Sequence, residues 1–277
     1  NYYHPNIIKC YGFTNNSLII EFMSNGTLQK LIKIKTIHNS YFAHFVSPFV
    51  LYSTSDYFHD LKVDFFNNRV NKIKMIIEII FGLEYLHLND MIYCDMKPDN
   101  IFIDHNFMIR LGDFDLSCNC DFLSSKSNKV GNIDSVNYFS PDISLNEKGY
   151  YTYISDIFQL GLIIYAICKG DDLFQNVSIE STSQINKYIK NKSIPFLYGP
   201  FCSFFIDCLK TQPINRKNLC KIIVELSDNQ QFFTNLIKEN HCNFYYTDIV
   251  EELHLLHQNL YKILFGFINS FSEEIIN

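Results

Sequence analysis

The chain has 277 residues, of which 47% are hydrophobic, and 23 basic against 29 acidic residues give a formal net charge of −6. This length allows one large domain or two small ones with a packed core, and the acidic balance argues against nucleic acid as a partner, because nucleic-acid binders usually present a basic face. The longest apolar run, Ile157–Cys168, is too short for a bilayer, which needs about 20 residues, so we also expect no membrane partner.

The cysteines indicate a reducing compartment. There are nine of them at irregular spacing, and no signal peptide opens the sequence. We therefore expect reduced thiols in a cytoplasmic protein rather than a disulfide framework. Cys118 and Cys120 form a Cys-x-Cys pair, but a metal site needs further ligands at suitable spacing and none follow nearby.

The first part of the chain predicts a hairpin, a helix and an insertion. Residues 10–13 and 18–23 have the composition of short strands, and the polar turn between them suits a hairpin. A short helix is predicted over 28–34. Residues 36–64 are irregular and rich in aromatic residues, and the stretch is long for a loop inside a compact domain, so we interpret it as an insertion.

The middle of the chain has stronger periodic patterns. Residues 68–88 predict an amphipathic helix, because apolar residues recur at three- and four-residue steps. These residues are Val70, Ile73, Ile76, Ile77, Ile80, Leu83 and Leu86. Ile101–Ile103 and Met108–Leu111 predict a hairpin. Residues 154–168 predict a helix that is apolar nearly all round and hence central in the core.

The last part of the chain has weaker helical patterns at 181–191, 200–210 and 216–226. In 249–267, apolar residues step alternately by four and three, which is a short heptad stripe. The stripe is shorter than the three to four heptads that indicate a coiled coil. We expect a helix docked on the domain, with a partner or dimer helix as the alternative.

A polar turn carries the residues with chemical potential. The segment YCDMKPDNIFID (93–104) contains Asp95, Lys97 and Asn100, and Asp113 follows beyond the predicted hairpin. Singly, each residue is explained by a turn, a cap or a solvated charge. Together they suit phosphoryl transfer, which needs a proton acceptor, a cation against the moving phosphoryl group, and oxygen ligands for magnesium.

This segment resembles the catalytic loop of eukaryotic protein kinases, His-Arg-Asp-x-Lys-x-x-Asn, and Asp113-Phe114-Asp115 resembles the family's Asp-Phe-Gly motif. The resemblance implies that Asp95 is the catalytic base and Lys97 contacts phosphate. It implies that Asn100 and Asp113 are magnesium ligands, with ATP and Mg²⁺ as cofactors. Lys97 at this position is more similar to serine/threonine kinases than to tyrosine kinases.

Other segments extend the resemblance over about residues 4–226. HPNIIKCYGF (4–13) is similar to the end of the family's small lobe, and LIIEFMSNGTLQKLI (18–32) to the strand, hinge and following helix. Ile20 would be the gatekeeper, and the backbone of Glu21 to Met23 would hold adenine. These segments are most similar to the tyrosine-kinase-like group.

The same resemblance assigns the end of the activation segment. SVNYFSPD (135–142) resembles Thr-x-x-Tyr-x-Ala-Pro-Glu, so Ser135 stands for the family's Thr and Asp142 for its Glu. Arg216 would pair with Asp142. Asp156, in the predicted central helix, would tether the backbone of the catalytic loop.

The implied fold is α+β and protein kinase-like, a mostly helical C-lobe with only the last part of the N-lobe sheet. We divide the chain into an N-lobe remnant and hinge (1–23), a C-lobe (24–230) that contains the 36–64 insertion, and a helical tail (231–277). The implied partners are protein substrates.

Some positions depart from the family pattern. Cys94 replaces the Arg that in the family binds activation-loop phosphate, so we expect phosphorylation of Ser124, Ser125 or Ser127 not to be the activating switch. Asp115 replaces a Gly that tolerates positive φ, which predicts a stiffer loop.

The sequence also shows no Gly-rich loop and no strand Lys for ATP, so we expect a fragment of a longer kinase. The alternative is a pseudokinase that binds partners without turnover. A small-molecule phosphotransferase is disfavoured by the segment that ends at Asp142 and by its partner Arg216.

Overall fold

The structure is a computed structural model that describes residues 3–15, 17–33, 62, 66, 68–119, 138, 140–144, 151–174, 182–191 and 201–228. Four predictions lie outside these residues: the role of Ser135, phosphorylation at 124–127, nearly all of the 36–64 insertion, and the heptad stripe at 249–267.

The described strands form three small antiparallel sheets. In the first, β1 (Cys10–Phe13) pairs with β2 (Leu18–Ile20). In the second, the order is β3 (Gly26–Thr27), β5 (Ile101–Ile103) and β6 (Ile109–Leu111). In the third, β4 (Met91–Ile92) pairs with β7 (Cys118–Asn119).

Helices make up most of the remainder. Residues 28–33 are helical directly after β3. The other α-helices are α1 (Arg69–Leu88), α2 (Pro141–Ser144), α3 (Tyr153–Lys169), α4 (Thr182–Asn191), α5 (Phe201–Cys208) and α6 (Leu219–Asp228). Within the described part of the chain, no helix is both long enough and apolar enough to cross a membrane.

The central helix α3 has clear start and stop signals. Thr152 and Ser155 form a capping box at its N-terminus, and Gly170 ends it in the left-handed conformation with φ 75°. All residues from Ser155 to Ile167 are buried. Because the helix is apolar nearly all round, the predicted position at the centre of the core is confirmed.

The N-terminal segment docks on the strand that leads to Asp113. The Leu111 N–H donates to the Asn6 carbonyl and the Ile8 N–H donates to the Leu111 carbonyl, both at 2.8 Å. Helix α1 packs closely on the same place, since a Cβ added at Gly82 would lie 2.9 Å from the Asn6 carbonyl oxygen. The segment, α1 and β6 thus form one packed unit.

The predicted elements agree with the structure to within about three residues at each described end. The α+β, mostly helical fold is confirmed. The sequence missed β3, β4 and β7, because a strand of two residues leaves no alternating pattern to detect.

Candidate active site

Asp95 lies at the centre of the site, buried, with two of the other predicted residues around it. Lys97 Nζ is 2.7 Å from Asp95 Oδ2. The Asn100 amide nitrogen donates to the same oxygen at 2.8 Å and to the Asp95 carbonyl at 2.9 Å. Both side-chain contacts use Oδ2, so Oδ1 is the oxygen left to accept a proton from a hydroxyl group.

Asn100 and Asp113 fit the ligand set of a magnesium ion. Because the Asn100 amide nitrogen faces Asp95, its amide oxygen is the atom that remains for a cation. The Asp113 carboxylate is exposed, and the N–H of the preceding Gly112 donates to the Asn100 carbonyl at 3.1 Å. Two oxygen donors from adjacent backbone suit a hard cation that keeps part of its water shell.

The backbone before Asp95 is strained. The Asp95 N–H donates to the Tyr93 carbonyl at 2.9 Å, which makes a three-residue turn around Cys94, and Cys94 has φ 69°. A non-glycine residue in this turn costs about 1–3 kcal/mol and persists only where its surroundings hold it. The elements that hold it lie on helix α3.

Asp156 holds this turn from below. Its Oδ2 accepts the Tyr93 N–H and its Oδ1 accepts the Cys94 N–H, both at 2.9 Å. His87 Nε2 lies 2.9 Å from Oδ2. The Asp156 side chain is completely buried, so these contacts replace its hydration. The arrangement is the one that the resemblance implied for Asp156.

Gln159 is a second clamp that the sequence reasoning missed. Its amide nitrogen donates to the Cys94 carbonyl at 3.0 Å, and its amide oxygen accepts the Met96 N–H at 3.4 Å. Gln159 lies three residues after Asp156 and hence on the same face of α3. The available signal was a polar residue inside an otherwise apolar helix.

Tyr93 is a further residue that the sequence reasoning did not use. Its buried hydroxyl donates to the carbonyls of Gly112 and, at 3.2 Å, Asn100. Its ring lies 5.5 Å from the ring of Phe114, which lines a cavity of about 390 Å³. Burial, with the nearby charges of Asp95, Asp113 and Asp156, raises the pKa of Tyr93 well above its usual value, so it remains a neutral donor that ties the catalytic loop to the Asp113 segment.

Arg216 and Asp142 form a buried ion pair, with Arg216 Nη2 2.7 Å from Asp142 Oδ1. The shorter side chain of Asp142 therefore reaches its partner, and Ser155 Oγ donates to its other oxygen at 2.7 Å. Burial alone would raise the pKa of Asp142, but the hydrogen bond and charge of Arg216 outweigh it, and the pKa lies below its ordinary value.

The guanidinium of Arg216 uses all its donors. Beyond Asp142, it donates to four oxygen atoms at 2.6–3.1 Å. They are the carbonyls of Lys210, Ile154 and Thr211 and the Ser140 hydroxyl. Five hydrogen bonds match the five N–H groups of the side chain, and they join α2, the start of α3 and the loop before α6.

The comparison with known families agrees with this geometry. The sequence model described as "Protein kinase domain" matches residues 1–223. The chain belongs to the protein kinase family.

Curated relatives are serine/threonine kinases by name. The chain is 27% identical over 212 residues to the serine/threonine-protein kinase RUNKEL of Arabidopsis thaliana, which covers 75% of this chain and 13% of that protein. It is 32% identical over 164 residues to the probable serine/threonine-protein kinase PLK of Dictyostelium discoideum (57% and 15%). It is 25% identical over 241 residues to an Aurora kinase of Debaryomyces hansenii (85% and 51%). The chain spans about half or less of the length of these relatives, and the tyrosine-kinase-like grouping stays a prediction.

In this kinase chain, the predicted hinge follows the end of β2. Ile20 ends the strand and is 40% exposed. The Glu21 N–H donates to the Lys9 carbonyl at 2.9 Å, and the Met23 carbonyl accepts the Gly26 N–H at 3.1 Å. These bonds leave out the Glu21 carbonyl and the Met23 N–H, which are one acceptor and one donor of the kind that an adenine edge requires.

The expectation of a stiffer loop at Asp115 has no support in the backbone. The residue of the Asp113-Phe114-Asp115 motif with positive φ is Asp113, at 55°, and not Asp115. Asp115 therefore takes a conformation that needs no glycine.

Proposed function

We propose that the chain is the catalytic part of a serine/threonine protein kinase, which transfers the γ-phosphate of ATP to hydroxyl groups of protein substrates. The observation that carries this proposal is the buried Asp95 carboxylate, with one oxygen bonded to Lys97 and Asn100 and the other left for a proton. Membership of the protein kinase family supports it.

Each residue has a defined task in this proposal. Asp95 Oδ1 accepts the proton of the substrate hydroxyl as its oxygen attacks phosphorus. Lys97, which neutralises Asp95 in the structure, moves its ammonium group toward the transferred phosphoryl group. Asn100 and Asp113 would hold Mg²⁺, which supplies charge neutralisation when bound with ATP. The bonds from Asp156 and Gln159 position Asp95 before substrate binds, which lowers the barrier by preorganisation.

The acceptor residue follows from two observations. Lys97 lies two residues after Asp95, as in serine/threonine kinases by resemblance. The relatives reported above are serine/threonine kinases by their printed names. We therefore propose Ser and Thr, not Tyr, as acceptors.

A second candidate is a pseudokinase, a kinase-fold module that binds partners without turnover. Cys94 and Asp115 favour it, because active relatives usually carry Arg and Gly at these positions. The contacts among Asp95, Lys97 and Asn100 favour the active enzyme, since a site without selection for chemistry has no need to preserve them.

The test uses protein expressed from the complete reading frame that contains this chain. Thermal shift with ATP and Mg²⁺ measures binding, transfer of labelled γ-phosphate to a generic protein measures turnover, and phosphoamino-acid identification gives the acceptor. A shift with label on Ser or Thr supports the proposal. Absence of transfer supports the pseudokinase, and label on Tyr contradicts the proposed acceptor.

A further inference from the structure

Two thiols meet beside the catalytic loop. The sulphur atoms of Cys94 and Cys118 are 3.5 Å apart, and no disulfide joins them. Cys94 directly precedes Asp95, and Cys118 lies five residues after Asp113 on β7. The contact therefore links the catalytic loop to the segment that follows the Asp113-Phe114-Asp115 motif.

Independent backbone contacts bring these cysteines together. Cys118 is the ladder partner of Ile92, two residues before Cys94. The backbone of Cys94 is held by Asp156 and Gln159. Since neither support involves a thiol, the two backbones stay in place when the sulphur chemistry changes. The S–S bond length is about 2.05 Å, so bond formation needs an approach of about 1.5 Å, within reach of side-chain rotation.

The two thiols differ in access. Cys94 is buried in a small apolar cluster with Ile92 and Tyr151, whereas Cys118 packs against that cluster from a half-exposed position. Burial, followed by the negative charge of Asp156, raises the pKa of the Cys94 thiol. An oxidant from solution thus meets Cys118 first, and Cys94 is positioned to react second.

We infer that Cys94 and Cys118 are an oxidative modification site that forms a reversible disulfide with a low-molecular-weight disulfide as oxidant. In the first step, the Cys118 thiolate attacks the oxidant RSSR, forms a mixed disulfide and releases one RSH. In the second step, the Cys94 sulphur loses its proton and attacks the Cys118 sulphur, which releases the second RSH. Two thiols are oxidised, and the two electrons reduce RSSR to two RSH.

The bond would change the catalytic loop. It would pull the residue before Asp95 toward β7 and fix the start of the activation segment. A displacement of about 1 Å at a catalytic group costs on the order of a hundredfold in rate, so we expect phosphoryl transfer to fall at least tenfold and to return with dithiothreitol. This consequence rests on the proposed function, whereas formation of the bond does not.

The 277-residue chain allows a direct test. The reduced protein is treated with oxidised glutathione, alkylated and cleaved with trypsin, which cuts after Lys74, Arg110 and Lys126 and not at the Lys97-Pro98 bond. Cys94 lies in peptide 75–110, and Cys118 lies in peptide 111–126. We expect these peptides as one species, two hydrogens lighter than their sum, and as separate peptides after reduction.

Peptide 111–126 also contains Cys120, which defines the controls. The linked species should disappear in Cys118→Ser and persist in Cys120→Ser and in Cys208→Ser, a buried cysteine on α5. Cys94→Ser should leave only a glutathione adduct on Cys118. If that variant does not fold, the half-exposed Cys118 variant decides alone.

Several outcomes would overturn the inference: no linked species in the unmodified sequence, a linked species that survives in Cys118→Ser, or glutathione adducts as the final product. A disulfide with unchanged transfer would overturn the effect on the catalytic loop. Absence of transfer in the reduced protein would instead be a failure of the proposed function, and the peptide result stands apart from it.

Discussion

Asp156 accepts the backbone N–H of Cys94 at 2.9 Å from a side chain that is completely buried. The same carboxylate accepts the Tyr93 N–H, so one side chain on the central helix holds both peptide groups of the strained turn before Asp95. The position of the catalytic carboxylate therefore depends on a residue 61 positions later in the chain.

Replacing Asp156 with Asn should loosen this turn. Asn has one oxygen, so its NH₂ group must face either an N–H donor or His87. A buried donor without an acceptor costs about 1–3 kcal/mol. We expect Asp156→Asn to lower the free energy of unfolding in urea by about that amount and to reduce phosphoryl transfer more than tenfold.

The matched control is Asp90→Asn. Asp90 is exposed and has φ 57°, a conformation that Asn also tolerates. It should retain both stability and transfer. Equal stability of the two variants would contradict the assigned role of Asp156.

Arg216→Lys should destabilise the protein although it keeps the charge. Lys has three donors and no planar fork, so at least two of the five hydrogen-bond acceptors around Arg216 lose their donor. Since breaking a buried ion pair costs about 3–5 kcal/mol, we expect a loss on the order of 3 kcal/mol in the free energy of unfolding. Lys217→Gln, which breaks partly exposed ion pairs, should cost less than about 1 kcal/mol. A smaller loss for Arg216→Lys than for Lys217→Gln would contradict the network.

Gly82→Ala decides between helix propensity and packing. Propensity alone favours Ala over Gly inside a helix by about 1 kcal/mol. At Gly82, however, the added Cβ would lie 2.9 Å from the Asn6 carbonyl oxygen and 3.0 Å from Leu111 Cδ1. Because backbone must shift, we expect a lower thermal midpoint. Gly12→Ala, where the Cβ would meet nothing within 4 Å, should change the midpoint little. A stabilised Gly82→Ala would show that the segment around Asn6 is not docked on α1.

His4 should make stability depend on pH. Burial lowers the pKa of His4 from 6.5 to about 4, and its ring stacks on Tyr85 at 4.8 Å. Because the unfolded chain binds the proton more readily, His4 contributes stability above pH 6.5 that is lost as the pH falls toward 4.

The measurement compares thermal midpoints at pH 7 and pH 5. His4→Asn keeps an acceptor for the Asn6 N–H, which His4 Nδ1 binds at 3.1 Å, and it should lose less of its midpoint than the unmodified protein does. His105→Asn, at an exposed turn, should lose as much as the unmodified protein. An identical loss in all three proteins would contradict the buried, neutral state of His4.

The sequence predicted the elements and residues whose patterns are local. Asp95, Lys97 and Asn100 lie within six residues of each other, so their convergence follows from one turn. The long helices carry repeating apolar steps that a single sequence displays.

Contacts that join distant parts of the chain were not predictable in this way. Tyr93 meets Gly112, and Gln159 meets Cys94, through the packing of separate elements. The Cys94 and Cys118 thiols meet because two-residue strands pair, and such strands leave no periodic signal.

The most direct test of the catalytic account is γ-phosphate transfer by Asp95→Asn, in protein from the complete reading frame and with Asp90→Asn as control. Asn keeps the shape of Asp95 and its contacts with Lys97 and Asn100, but it cannot take a proton from a hydroxyl group. General base catalysis contributes about 10²–10⁴-fold. The account predicts an unchanged thermal midpoint and a rate at least about a hundredfold lower for Asp95→Asn. Transfer by Asp95→Asn at the rate of the unmodified protein would contradict it.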